Sequence, residues 1–132
     1  MHRQVIDPGW EWTRRFKISV GHQVGATVYL SGLVALDEHG ELVGGDDVYQ
    51  QSIQIFRNIE QALASVGGGL DDLVRITTYL TDIDRYAEFS RARAETFPAG
   101  PPASTALATP ALVMPELLVE IEATAVLAEP VK

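Results

Sequence analysis

Two carboxylates, Glu120 and Glu122, stand two residues apart inside an otherwise apolar run, LLVEIEATAVL from Leu117 to Leu127. In an extended chain side chains alternate, so Val119, Ile121, Ala123 and Ala125 share one face and Glu120, Glu122 and Thr124 share the other. Cα atoms on one strand face are roughly 6.6 Å apart, a spacing at which partly buried carboxylates raise one another's pKa. Such a pair is a candidate for catalysis. The plain alternative is a wet sheet face that is acidic because it is exposed. Leu118 and Val126 also fall on the carboxylate side, and a face apolar at its ends and acidic in its middle suits an interface with a polar pocket.

Other residues with chemical potential carry less. His2, His22 and His39 lie far apart without metal-ligand spacing, so no metal site is expected. Gly67-Gly68-Gly69 follows a helical segment, which makes it a helix stop and not a phosphate loop. In LSG, Leu30 to Gly32, a hydroxyl and a flexible backbone sit on a buried strand; a bulge or the close approach of a ligand would each account for the glycine. Arg14-Arg15 reads as a solvated pair.

The chain has 132 residues, which suits one domain spanning 1–132 and burying about two-thirds of its unfolded surface. Eighteen acidic against ten basic residues give a net charge of -8, which disfavours nucleic acid and anionic membranes as partners. Without cysteine there is no disulfide, thiol nucleophile or thiolate metal site. Neither a signal peptide nor an apolar run of membrane-spanning length is visible, so the expected location is the cytoplasm.

These residues need elements to position them. Trp12 to Val20 could form a first strand, and Gly25 to Leu36 reads as a well-buried one. Gly40 turns a hairpin in DEHGEL, with a short strand around Leu42 and Val43 pairing back. Asp46 to Val66 has helical spacing, with Val48, Ser52, Ile55, Phe56, Ile59, Ala62, Leu63 and Val66 in one stripe and a capping box at Asp47 and Gln50. LVRITTYL alternates, with Val74, Ile76, Thr78 and Leu80 opposite Arg75, Thr77 and Tyr79. A second helix is expected from Asp84 to Thr96, with Tyr86, Phe89, Arg93 and Phe97 in register. A strand near Ser104 to Ala108 precedes the glutamate strand. This order argues for an α+β fold with both helices on one sheet face.

Three stretches, VYLSGLVALDEHGELVGGD, NIEQALASVGGGLDDLVRITTYLTDIDRYAEF and LLVEIEATAV, together resemble the Rid family, also called YjgF. The resemblance runs from Val28 to Val126. It implies a chorismate-mutase-like α+β fold, a mixed β-sheet assembled as a homotrimer, with ligand clefts between subunits. It also implies cofactor-free hydrolysis of reactive enamine and imine intermediates to carbonyl product and ammonia. On this resemblance Glu120, first glutamate of the EIEA motif, is the catalytic group that positions water. Ser31 and Gly32 line the cleft, Ser90 takes a helix position that is commonly Asn, Thr105 takes a small-residue position, and the N-terminal aromatic falls on Phe16. The family's deaminating branch places before Ser104 an arginine that clamps the substrate carboxylate. Here that residue is Ala103.

Three functions are compatible with these residues: an imine or enamine deaminase acting through Glu120, a trimer that binds a small metabolite or protein partner without turnover, and a hydrolase of another carbon–nitrogen bond. Positive charge beside Glu120 discriminates among them, because without it a 2-imino acid has no anchor. Arg75, Arg91 and Arg93 are the arginines that could supply it.

Overall fold

The computed structural model describes residues 2–128. Six strands form one sheet in the order β1-β2-β3-β6-β4-β5: β1 (Gln4–Ile6), β2 (Gly21–Val24), β3 (Thr27–Leu33), β4 (Leu73–Leu80), β5 (Ala103–Ala108) and β6 (Val119–Val126). All neighbours are antiparallel except β4 and β5, whose parallel pairing follows from the helical crossover between them. The sheet is therefore mixed and the fold α+β, as expected. The helices are α1 (Glu11–Arg15), α2 (Val48–Ala64) and α3 (Tyr86–Thr96), one more than the sequence pattern suggests.

Alternation along β6 is realised residue by residue. Val119, Ile121, Ala123 and Ala125 are buried under the helices while Glu122 and Val126 are exposed. The α2 stripe packs there through Ile55, Phe56, Ile59, Ala62 and Leu63, each of the larger side chains contributing about 1.5–3 kcal/mol by leaving water. Phe56 meets Phe89 of α3 at 6.2 Å and Phe97 edge-on at 5.4 Å, which ties the two helices together. Asp47 caps α2 by accepting from the Gln50 amide at 3.0 Å, and Gly67 at φ 80° turns the chain out of it.

Several expectations need correction. Trp12 to Val20 is not a strand: Trp10 and Trp12 stack 5.9 Å apart in the core, Thr13 Oγ1 donates to the Trp10 carbonyl, and the short α1 results. The strand pairing with β3 is β2, beginning at Gly21, and β1 extends the sheet beyond it. The hairpin partner at Leu42 is one bridge to Leu36, not a strand. A register shift between Leu73 and Arg75 turns Val74 out to solvent, so the buried side of β4 is Leu73, Ile76, Thr78 and Leu80. The second helix starts as a 3₁₀ turn at Ile83–Arg85 and becomes α-helical only at Tyr86.

Two buried polar residues on α2 hold irregular segments in place. Asn58 donates to the carbonyls of Val34 and Leu36 at 3.0 and 2.8 Å. Gln51 donates to Gly45 and Glu116 and accepts from the Leu118 amide, so its amide is fully used. Both anchor the chain next to the end of β6 that carries Glu120.

Candidate functional site

At that end of the sheet lies a cavity of about 290 Å³. Trp12 and Phe16 from α1 and its C-terminal side, Val20, Leu33, Val34 and Met114 give it an apolar wall. Glu120 enters from β6 and is the one ionisable side chain among the described lining residues. The β3 strand supplies Ser31 and Gly32, where pairing with β6 shifts register between Leu30 and Leu33. The bulge expected at LSG is present, and so is a close approach: a Cβ on Gly32 would overlap the Glu120 carboxylate and come within 2.8 Å of its Cδ. Glycine here leaves room for the side chain of Glu120 to lie across the strand.

The Glu120 carboxyl is half-buried, and burial is the main cause that pushes its pKa above the usual carboxylate value; the charge of Glu122 adds to it. No hydrogen bond from a described residue offsets either effect. Ser31 is occupied, its Oγ donating to the Ser19 carbonyl at 2.7 Å. That bond fixes the loop bearing Ile18 and Ser19 against β3 and leaves the hydroxyl oxygen free to accept.

Ser31, Gly32, Phe16 and Glu120 thus come together in one cavity. Ser90, Ala103 and Thr105 do not join them within the chain. Ala103 and Thr105 are on the edge strand β5, opposite Arg75 and Thr77 of β4, which in turn pair with Thr124 and Glu122 of β6. They share the open sheet face with the glutamates but stand two strands away. Ser90 sits on α3 beside Arg93, whose guanidinium donates to Tyr86 Oη at 2.7 Å, Ser104 Oγ at 2.8 Å and more weakly to Ser90 at 3.4 Å.

None of the three arginines reaches the cavity in this chain. Arg75 lines a separate groove with Glu122, Thr77 and Thr124. Arg91 stacks over Tyr49 at 3.9 Å, and Arg93 is held as described. Outside the wall, Arg15 lies 5.0 Å over the Phe16 ring. Sequence reading misses Trp12, Ile18, Val113 and Met114 as lining residues. Trp12 has the chemistry of a strand residue, and Val113 and Met114 belong to an irregular segment whose path no periodicity reports.

A family model described as endoribonuclease L-PSP matches residues 15–127. A RutC family protein of Pyrococcus abyssi is 33% identical over 104 residues, covering 78% of this chain and 80% of the relative. Among solved structures, Rv2704 of Mycobacterium tuberculosis, a member of the YjgF/YER057c/UK114 family, superposes with a TM-score of 0.81 at 32% identity, covering 96% of this chain and 100% of that one. RidA from a Psychrobacter species gives 0.77 at 32% identity, covering 83% and 87%. YyfA of Yersinia pestis, from the Rid family, gives 0.82 at 26% identity, covering 96% and 100%. With family model, curated relative and solved folds agreeing over most of its length, the chain belongs to the Rid/YjgF family.

Proposed function

We propose that the protein hydrolyses reactive imines or enamines to a carbonyl product and ammonia, without a cofactor, in clefts between the subunits of a homotrimer. The observation that carries this reading is Glu120: a half-buried carboxylate with no described hydrogen-bond partner, placed in an apolar cavity beside Gly32. Its raised pKa brings it closer to the operating pH, which suits a general base for water. Water held by Glu120 attacks the iminium carbon as the carboxylate takes its proton, and the carbinolamine collapses with loss of ammonia. The trimer is supported by the uncovered sheet face, where Tyr29, Leu107 and Val126 are exposed beside the glutamates. It would bring Ala103, Thr105 and Ser90 of one copy toward the cavity of another.

A cleavage of RNA, which the family model's description names, has less support. The net charge of -8 and the lack of any cation among the described lining residues oppose a phosphate backbone. The non-catalytic reading is favoured by one observation, Ala103 in place of the clamp arginine; it predicts ligand-dependent thermal stabilisation without turnover. The deciding measurement is ammonia and carbonyl release while an oxidase generates imines in situ. Wild type should accelerate release and Glu120→Gln should not; equal rates would sink the assignment.

A further inference from the structure

The charge inventory of the cavity restricts what can sit beside Glu120. Trp12, Phe16, Val20, Leu33, Val34 and Met114 offer only apolar or aromatic surface to a ligand, and among the described lining residues none is Arg, Lys or His. The Ser31 hydroxyl already donates to the Ser19 carbonyl, so Ser31 offers the cavity an acceptor beside the Glu120 carboxylate. On this chain's side of the cleft a carboxylate next to Glu120 would meet a second negative charge with no cation between them, and the strand that the proposed trimer brings from a second copy carries Ala103 where the family's deaminating branch has an arginine. Across about 5 Å at an effective dielectric of about 20, that repulsion corresponds to a discrimination on the order of 100-fold. An iminium nitrogen meets the opposite situation, a carboxylate acceptor at the mouth of an apolar slot.

We propose that this cavity selects imines that bear a branched aliphatic or aromatic side chain and no carboxylate. Such iminium ions arise by two-electron oxidation of apolar primary amines, and that is the class of reaction that must supply the substrate. The selection concerns binding; the turnover it serves rests on the hydrolysis proposed above. Water adds to the iminium carbon, forming the C–O bond as the C=N pair moves to nitrogen, and Glu120 takes the water proton. Glu120 returns that proton to nitrogen, the C–N bond breaks, and the hydroxyl proton leaves with ammonia as the C=O bond forms. One iminium ion and one water give one carbonyl compound and one ammonium ion.

The test uses two imines that share an isobutyl group and differ by the carboxylate. One is made from isoamylamine by an amine oxidase, the other from L-leucine by an L-amino-acid oxidase, and hydrolysis is read by competition with semicarbazide. Calorimetry on the full-length protein measures binding of isoamylamine and of the 2-oxo acid of leucine. The expected result is a preference in kcat/KM on the order of 100-fold for the isoamylamine imine. Isoamylamine should bind and the oxo acid should not. Val113→Lys, at a wall residue that is 84% exposed and whose replacement should leave the fold intact, places a cation at the rim and should cut the preference at least about tenfold while admitting the oxo acid.

Equal or faster hydrolysis of the leucine imine overturns the selection. If Arg93→Ala or Arg15→Ala then abolishes that activity, the overturning cation is identified and the hydrolysis reading survives. Binding of isoamylamine with turnover of neither imine upholds the selection and removes the hydrolysis. Failure of isoamylamine to bind the native protein overturns the selection whatever the turnover.

Discussion

Glu120 and Glu122 occupy the same face of the same strand, yet they live in different chemistry. Glu120 lies against Gly32 in an apolar cavity, without a described hydrogen-bond partner. Glu122 is exposed, accepts from Tyr79 Oη at 2.6 Å, and borders a polar groove with Arg75, Thr77 and Thr124. The difference comes from what crosses the strand at each level. The bulge at Ser31 and Gly32, the α1 aromatics and the segment through Val113 and Met114 gather over Glu120. Only neighbouring strands flank Glu122 in this chain. A strand pattern therefore tells which side a carboxylate faces, whereas its reactivity is set by irregular chain packed against it.

The largest effect that bears on this contrast is removal of each carboxylate. Glu120→Gln keeps size and polarity but cannot take a proton, and imine hydrolysis should fall by about 10²–10⁴-fold. Glu122→Gln should stay within a few-fold of wild type, since a glutamine oxygen can still accept from Tyr79. Comparable losses from both would erase the distinction.

Next in size is Gly32→Ala. Its Cβ would collide with the Glu120 carboxylate and has to displace it. A displacement on the order of 1 Å at a catalytic group costs up to about 10²-fold in rate. Gly32 is not among the positive-φ glycines, so little backbone strain accompanies the change and thermal stability should hold. A stable variant of unchanged activity would show that Glu120 works from some other position.

A smaller shift is expected in the pH dependence. The base must be ionised, so kcat/KM should rise with pH through a value above the ordinary carboxylate range, because burial and then Glu122 raise the Glu120 pKa. Glu122→Gln removes the lesser cause, and the acid limb should move downward while staying above that of a solvated glutamate. An unmoved limb would uncouple the two carboxylates.

How far these distinctions are legible in the sequence depends on periodicity. The α2 stripe, the alternation of β6 and the helix stop at Gly67 repeat or punctuate regular structure, and each can be read directly. The bulge at Ser31–Gly32 can be read too, because a glycine inside a strand commonly marks a bulge or a close approach. The failures share one cause: Trp12 has strand-like chemistry but is drawn by core packing against Trp10 into a short helix, and Val74 is turned out by a register shift that alternation cannot report. Likewise, Asn58 and Gln51 look like polar interruptions of a helix, and only their carbonyl partners, at least 22 residues away for Asn58, reveal what they hold. The cavity wall is hidden from pattern for the same reason, since it is mostly irregular chain.

The smallest effect concerns stability. Because the folded-state pKa of Glu120 lies above its unfolded value, the native protein binds more protons than the unfolded chain between those two pH values. Stability from this group is fully present below the unfolded pKa and is lost as pH rises through the folded one. At neutral pH the charged, partly desolvated carboxylate is therefore a small cost, which Glu120→Gln removes. The variant should melt up to a few degrees higher than wild type at neutral pH and show a smaller advantage near pH 4. Glu122→Gln should show a smaller gain of the same sign, limited to the part of the Glu120 shift that the Glu122 charge causes. If Glu120→Gln instead lowered Tm at neutral pH, the carboxylate would have a stabilising partner, and the cavity would no longer be the place where this protein keeps an unsatisfied charge.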